Sequence, residues 1–378
     1  MWVFGTLVPS GGVRANGGWL MSTRQTCATA PVTGERIQLD CFDHFSDTLV
    51  DAPAGELWRY LRGPSLFRLL GRRLAPLFVS VLLHGNEDTG WRAIQAVLRR
   101  TRAAKPQRPL LLFVGNIEAA KANVRTLPHQ EDFNRAWPGT MHPDTPTATL
   151  LREVFEIARR ERPFASIDIH NNSGHNPHYA CVNSFEPQHL HLARLFGRTV
   201  VYFEQPTGVQ SAALAKIYPS VTVECGRPDE AASVDHAVEL ISSVLAIRNL
   251  PDRPPPDGDL DLMRTVAIVK VPADATFSFD GEDADFRFRP DLDHLNFAEL
   301  DPGTAFGSLG GDCSRQLDVT PVNDGLAADA FFGYAGGKIQ LLQRMIPAML
   351  TVDSRAVRLD CLGYLMRRVG PDGRSTSE

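Results

Sequence analysis

Four short runs hold side chains that could do chemistry together. His84-Gly85-Asn86-Glu87 sets an imidazole and a carboxylate three residues apart where an apolar run ends. Imidazole nitrogen and carboxylate oxygen both suit zinc, and Gly85 gives the backbone room to turn the two onto one centre. Alone, the pair is as ordinary as a surface His–Glu pair at a helix start. Asp168-Ile169-His170, followed by Asn171-Asn172, closes a second apolar run. In isolation His170 reads as a buried, hydrogen-bonded strand-end histidine. With His84 and Glu87 it completes two histidines and one carboxylate, leaving a fourth position for water, as in a hydrolytic zinc site.

A third run, Val223-Glu224-Cys225-Gly226, brings another carboxylate to the end of an apolar stretch. Near a metal, Glu224 could take a proton from water and later deliver it to a leaving amine; its plainer reading is a structural ion pair. Cys225 reads as a small core residue, because thiolate ligands usually come in groups. The fourth run, Asp132-Phe133-Asn134-Arg135, lies in a polar loop. Arginine offers two parallel donors matched to a carboxylate, and Asn134 adds another hydrogen-bonding head. Without the other three runs this would be a solvated loop.

In open α/β sheets ligands gather at the carboxyl ends of strands, so the elements before these runs must bring them together. The apolar stretch 74–83 and Leu110–Val114 read as buried strands, with an amphipathic helix from Trp91 to Arg100 between them, capped by Thr89. After the loop over 126–147, a helix is expected over Thr149–Arg160 and a strand over Ala165–Ile169. Further strands are expected at Tyr179–Val182, Thr199–Phe203 and Val221–Glu224, with helices near 187–196 and 229–249. This alternation predicts an α/β fold with a mixed, largely parallel central sheet flanked by helices. The segment 251–259, with four prolines, reads as a linker. Short β-like runs at Val266–Val271 and Phe286–Phe288 then suggest a smaller, mainly-β C-terminal domain.

The expected domains are therefore a catalytic domain over 36–250, the linker over 251–259 and the β domain over 260–378. Residues 1–35, rich in Gly, Ser and Thr, are set aside as an extension in which Met21 is a second candidate start. A length of 378 residues favours two domains. Hydrophobic residues at 43% and charged residues at 22% exclude global disorder. A net charge of −5 argues against nucleic-acid binding through a globally basic surface. No apolar run reaches the roughly 18–20 residues that cross a membrane, and the start has no basic region of the kind that opens a secretory signal. Six scattered cysteines (Cys27, Cys41, Cys181, Cys225, Cys313 and Cys361) form no CxxC pair and fit a reducing compartment. A soluble cytoplasmic protein is the expectation; the oligomeric state is left open.

HGNE, DFNR, DIHNN and VECG, in that order, resemble the succinylglutamate desuccinylase/aspartoacylase family of the zinc carboxypeptidase superfamily. The resemblance runs from Leu77 to Gly226, is looser over 260–370, and is not visible before residue 70. It implies a zinc carboxypeptidase-like fold with one Zn²⁺ per chain on His84, Glu87 and His170. It further implies Glu224 as general acid/base, Asn134 and Arg135 as the grip on a substrate carboxylate, and Asp132 as a carboxylate that orients the first zinc histidine; Asp168 is similar to the Asp two before the second zinc histidine, beside the metal site. Arg125 takes the place of an arginine that polarises the scissile carbonyl, although the inserted Leu127-Pro128-His129-Gln130 sets it nine residues before Asn134. Tyr334 resembles a C-terminal tyrosine that reaches toward substrate; a packed aromatic is an equal reading. His175 and His178 read as loop residues, and His189 and His191 as members of a surface helix; none receives a role.

The implied activity is zinc-dependent hydrolysis of the amide of an N-acyl amino acid bearing a free carboxylate, with a small-molecule substrate and no nucleic-acid or membrane partner. A metallocarboxypeptidase acting on peptide C-termini is the alternative, since the same carboxylate grip serves both. A non-catalytic binding module on the same fold is a third reading.

Overall fold

Strands alternate their side chains between two faces, and here both faces are apolar. In the strands β1 (Leu77–Val81) and β2 (Leu110–Val114), Leu77, Val79, Val81, Leu110, Leu112 and Val114 pack into one core; Phe78, Leu111 and Phe113 pack into another. Helices therefore cover both sides. On the first face lie α1 (Thr89–Thr101), through Trp91, Ile94 and Val97, and α3 (Ala231–Ala246), through Val238, Ile241 and Val244. On the second lies α2 (Pro146–Glu161), through Leu150, Leu151, Val154 and Ile157. Thr145 starts α2 by accepting from the Ala148 N–H, and Pro146 takes the first turn, where no amide donor is needed.

The computed structural model describes residues 25–26, 36–72, 74–101, 106–311, 313–323 and 325–374. Of the N-terminal extension only Gln25–Thr26 falls within these; Met21 and Cys27 lie outside the described residues. Among the described residues no helix is long and apolar enough to cross a membrane.

The remaining central strands are β3 (Ala165–His170), β4 (Tyr179–Val182), β5 (Thr199–Tyr202), β6 (Ser220–Glu224), β7 (Asp261–Lys270) and β8 (Gly363–Arg368). Their order across the sheet is β2-β1-β3-β6-β4-β5-β7-β8, extended by Ser65–Leu69, Asp40–Phe42 and Gln25–Thr26 beyond β2 and by Ile346–Ala348 beyond β8. Between β2 and β7 only the β6–β4 pairing is antiparallel. Both margins are antiparallel in part, as in the pairing of Ser65–Leu69 with β2 and of β7 with β8. The class is thus mixed α/β, with a large sheet parallel through most of its middle, and a separate five-stranded sheet from the C-terminal third.

The chain beyond the Pro-rich segment does not build the small sheet alone. Its first strand, β7, pairs in parallel with β5, placing Leu262 beside Val200 and Met263 beside Val201. β7 starts at Asp261, five residues before the apolar run that marks it in the sequence, because the intervening Arg264 and Thr265 hide it. Gly363–Arg368 and Ile346–Ala348 likewise join the large sheet.

Candidate active site

The carboxyl ends of β1, β3 and β6 meet at one place, since β3 pairs in parallel with both neighbours. The chain leaves β1 through Leu82, whose φ of 55° bends it out of the strand. Gly85 follows because a Cβ there would lie 2.1 Å from the Ala119 carbonyl carbon, at the helix Ile117–Ala122. This close approach orients His84 and Glu87 toward His170. The register sets His170 directly beside Glu224 on β6.

His84, Glu87 and His170 are all buried, and one potential ligand atom from each lies within 4.8 Å of the others. Both Nδ1 atoms face the Glu87 carboxylate, at 2.8 Å from His84 and 2.7 Å from His170. The opposite ring nitrogens face other carboxylates: His84 Nε2 lies 3.0 Å from Asp132 and His170 Nε2 lies 2.8 Å from Asp168. Asp168 is itself held by the Ser80 hydroxyl, which donates over 2.6 Å. An Nε2–H donated to a carboxylate leaves the Nδ1 lone pair pointing into the cluster, the tautomer a metal ligand needs.

The charge around the rings is predominantly negative. Burial would raise the pKa of Glu87, but the two imidazoles hold it well below the usual carboxylate range. Burial opposes charge on His170, yet Asp168 and Glu87 push its pKa well above the ordinary value. The donor set calls for positive charge at its centre. Two imidazole nitrogens and one carboxylate oxygen, with the far side of each ring anchored, fit a zinc ion.

Glu224 is built differently. Its carboxyl is buried, and Oε2 has no hydrogen-bond partner. Burial pushes its pKa up to about 7, the nearby Glu87 charge adding to this and the histidines and Arg125 opposing it. Glu224 lines a cavity that also touches His84, Glu87, His170, Arg125, Asn134 and Arg135. A lone carboxyl with a pKa near 7 in a cleft has the properties of a general acid/base.

The polar loop reaches the cluster through Asp132 and Asn134. Asp132 accepts from the Asn134 amide at 2.7 Å and from Arg125 through Nε and Nη2, at 3.2 and 3.0 Å. Asn134 Nδ2 lies 3.0 Å from His170 Nε2, and its Oδ1 accepts from the Gln210 amide. The Leu127–Gln130 insertion does not remove Arg125 from the site: its Nη1 comes within 4.0 Å of Glu87, and Gln130 folds back to accept from the Leu127 amide.

One expected residue does not join them. The Tyr334 hydroxyl accepts from the Leu317 amide at 2.8 Å, and the ring packs on the apolar core of the C-terminal segment, away from the cavity. Tyr179 and Tyr364 line the cavity instead. The sequence reading also passed over Asp360, which accepts twice from Arg135 Nη2 at 3.0 Å and once from Arg125 at 3.4 Å. No local signal marks it: it follows a six-residue helix and precedes β8. His189 is buried, not on a surface face, and its Nδ1 accepts from the Ser220 amide. Cys225 is a buried core residue, as expected.

Residues 76–248 match the family model of the succinylglutamate desuccinylase/aspartoacylase catalytic domain. Among curated proteins none matches the chain. Similar solved structures include a succinylglutamate desuccinylase from Chromobacterium violaceum, at 18% identity and a TM-score of 0.51, covering 79% of this chain and 86% of that one. A succinylglutamate desuccinylase/aspartoacylase from Rhodobacter sphaeroides is 16% identical with a TM-score of 0.54, covering 80% and 88%. Murine aminoacylase 3 is 15% identical with a TM-score of 0.50, covering 79% and 97%. At these identities the likeness is one of fold.

Proposed function

We infer from the match of residues 76–248 to the succinylglutamate desuccinylase/aspartoacylase catalytic domain that this protein is a zinc-dependent amidohydrolase of that family. It removes the acyl group from an N-acyl amino acid whose carboxylate is free. The observation that carries the reading is Glu224, a buried carboxyl whose Oε2 has no hydrogen-bond partner, in the same cavity as the His84–Glu87–His170 cluster. The family match does not favour the metallocarboxypeptidase alternative.

His84, Glu87 and His170 would hold the zinc. When bound, zinc supplies a Lewis acid that polarises the scissile carbonyl and makes water more acidic. Asp132 and Asp168 fix the tautomer of both rings. Glu224 accepts the proton of the attacking water and returns it to the departing nitrogen, a double duty suited to a pKa near neutrality. Arg125 is fixed by Asp132 through Nε and Nη2, which leaves Nη1 for the charge that develops on the carbonyl oxygen. Asn134 and Arg135 bind the substrate carboxylate, in competition with Asp360 for the Arg135 guanidinium.

The test is Glu224→Gln, which keeps size and polarity but removes the base. Zinc content measured by elemental analysis should stay at one per chain, while turnover of N-acetyl- and N-succinyl-amino acids falls about 10²–10⁴-fold. A zinc-loaded variant within about threefold of the parent would return Glu224 to a structural role.

A further inference from the structure

The cluster sits between two openings of different character. On one side of Glu87 lies a cleft of mixed lining that carries the polar side chains Asn171, Asn172, Arg227 and Arg355. On the other, the cavity that holds Glu224, Asn134 and Arg135 runs back along β4, β5 and β8. Part of its wall is apolar, formed by Tyr179, Cys181, Val201, Phe203, Val209 and Met366. Tyr179, Val201 and Met366 belong to one buried apolar cluster, and the Tyr179 hydroxyl is occupied in donating to Met349 Sδ.

Orientation follows from the carboxylate grip. Asn134 and Arg135 line the apolar cavity and not the polar cleft. The amino-acid half of the substrate, which carries the carboxylate, therefore lies in the cavity, and the acyl half points to the cleft. The amino acid's own side chain must then rest on the apolar wall. Charge reinforces this: among the described residues the only cationic side chains of the cavity besides the cluster histidines are Arg125 and Arg135, and both already face Asp360, with Arg125 also on Asp132. A second carboxylate on the substrate would find no uncommitted cation and would face Glu224.

We propose that this site selects N-acyl amino acids with apolar side chains of medium to large size, and rejects those with acidic ones. The proposal rests on the deacylase reading and adds the substrate class. Burying an unpaired carboxylate is far more costly than losing one methylene contact, so discrimination should be large. Selectivity is set by the wall and not by the zinc ligands, which makes Phe203 a specificity-determining residue. It is half-buried on the cavity wall, so truncation opens space without removing a core side chain.

The experiment compares the zinc-loaded protein on N-acetyl-Leu, -Met, -Phe, -Ala, -Asp and -Glu, with binding of the free amino acids followed by calorimetry. The expected result is kcat/KM at least about 100-fold higher for Leu, Met and Phe than for Asp and Glu, and the same rank order in binding. Phe203→Ala should lower kcat/KM for N-acetyl-Phe about 10-fold relative to N-acetyl-Ala. Preference for Asp or Glu would overturn the proposal, as would an unchanged Phe-to-Ala ratio in Phe203→Ala. If none of the acyl amino acids is turned over, the deacylase reading fails by itself. The binding order then still decides the pocket, tighter binding of Asp or Glu overturning it.

Discussion

The His84–Glu87–His170 cluster and the cavity wall beside it are assembled by different routes. His84, Glu87, His170 and Glu224 stand just past or at the ends of strands that pair in parallel as neighbours in the large sheet, each inside a short run that states its own chemistry. The wall draws on β4, β5 and β8 and on Asp360, whose segment reaches the site only because β7 and β8 extend the same sheet. The cluster is a product of strand ends, the wall a product of long-range pairing. Chemistry should therefore fail abruptly when the cluster is altered, and change by degrees when the wall is.

The sharpest break is at the ligands. His84→Ala or His170→Ala leaves one imidazole and one carboxylate for zinc, so elemental analysis should find little metal and assays no hydrolysis. Full zinc occupancy in either variant would show that the ligand set is wrong.

Next in size is Arg135→Lys, which lies where cluster and wall meet. A point charge cannot reproduce the planar fork. With charge-assisted hydrogen bonds contributing on the order of 1.5–3 kcal/mol, kcat/KM should fall roughly 10–100-fold, zinc content staying constant. The loss should be confined to substrates with a free α-carboxylate. Equal losses on the corresponding amides would remove the carboxylate grip.

Asp360→Asn tests the wall more gently. Burial would raise the Asp360 pKa, but Arg135 and Arg125 hold it below the ordinary value. A carboxyl depressed on folding stabilises the native state above its unfolded pKa of about 4, and that contribution is lost as pH falls through the lower folded value. The variant should therefore lose stability near neutrality, by about 1–3 kcal/mol, and show a shallower decline below about pH 4 in thermal melts. Its KM for carboxylate substrates should fall several-fold as competition for Arg135 is removed. A raised KM would instead make Asp360 a support for the grip. Smallest of all, Tyr334→Phe should leave kcat and KM within about twofold, because its hydroxyl serves the Leu317 amide and does not line the cavity.

This division also explains what could be read in the sequence. Leu110–Val114 and Tyr179–Val182 are buried apolar strands bounded by polar turns, and their limits agree with the expected ones. HGNE and DIHNN were legible because ligand spacing and strand end coincide. Ser65–Leu69 was not, since Arg68 breaks its apolar pattern at a half-buried position. Tyr364 and Asp360 were beyond reach for another reason: their place in the cavity depends on β8 pairing with β7, about a hundred residues earlier, and no local periodicity encodes that. The Pro-rich segment looked like a border because its composition ends a helix; the hydrogen bonds of the sheet continue past it.

That continuation bears on how the molecule tolerates being cut. β5 is covered along its outer side only by β7. A chain shortened to end at the Pro-rich segment would present the Thr199–Tyr202 backbone as an open ladder of unpaired N–H and C=O groups, flanked by the apolar side chains of Val200 and Val201. Such an edge recruits other chains. The shortened protein should therefore accumulate as aggregates, while the missing piece supplied as a separate polypeptide would restore solubility by taking the vacant place at that edge.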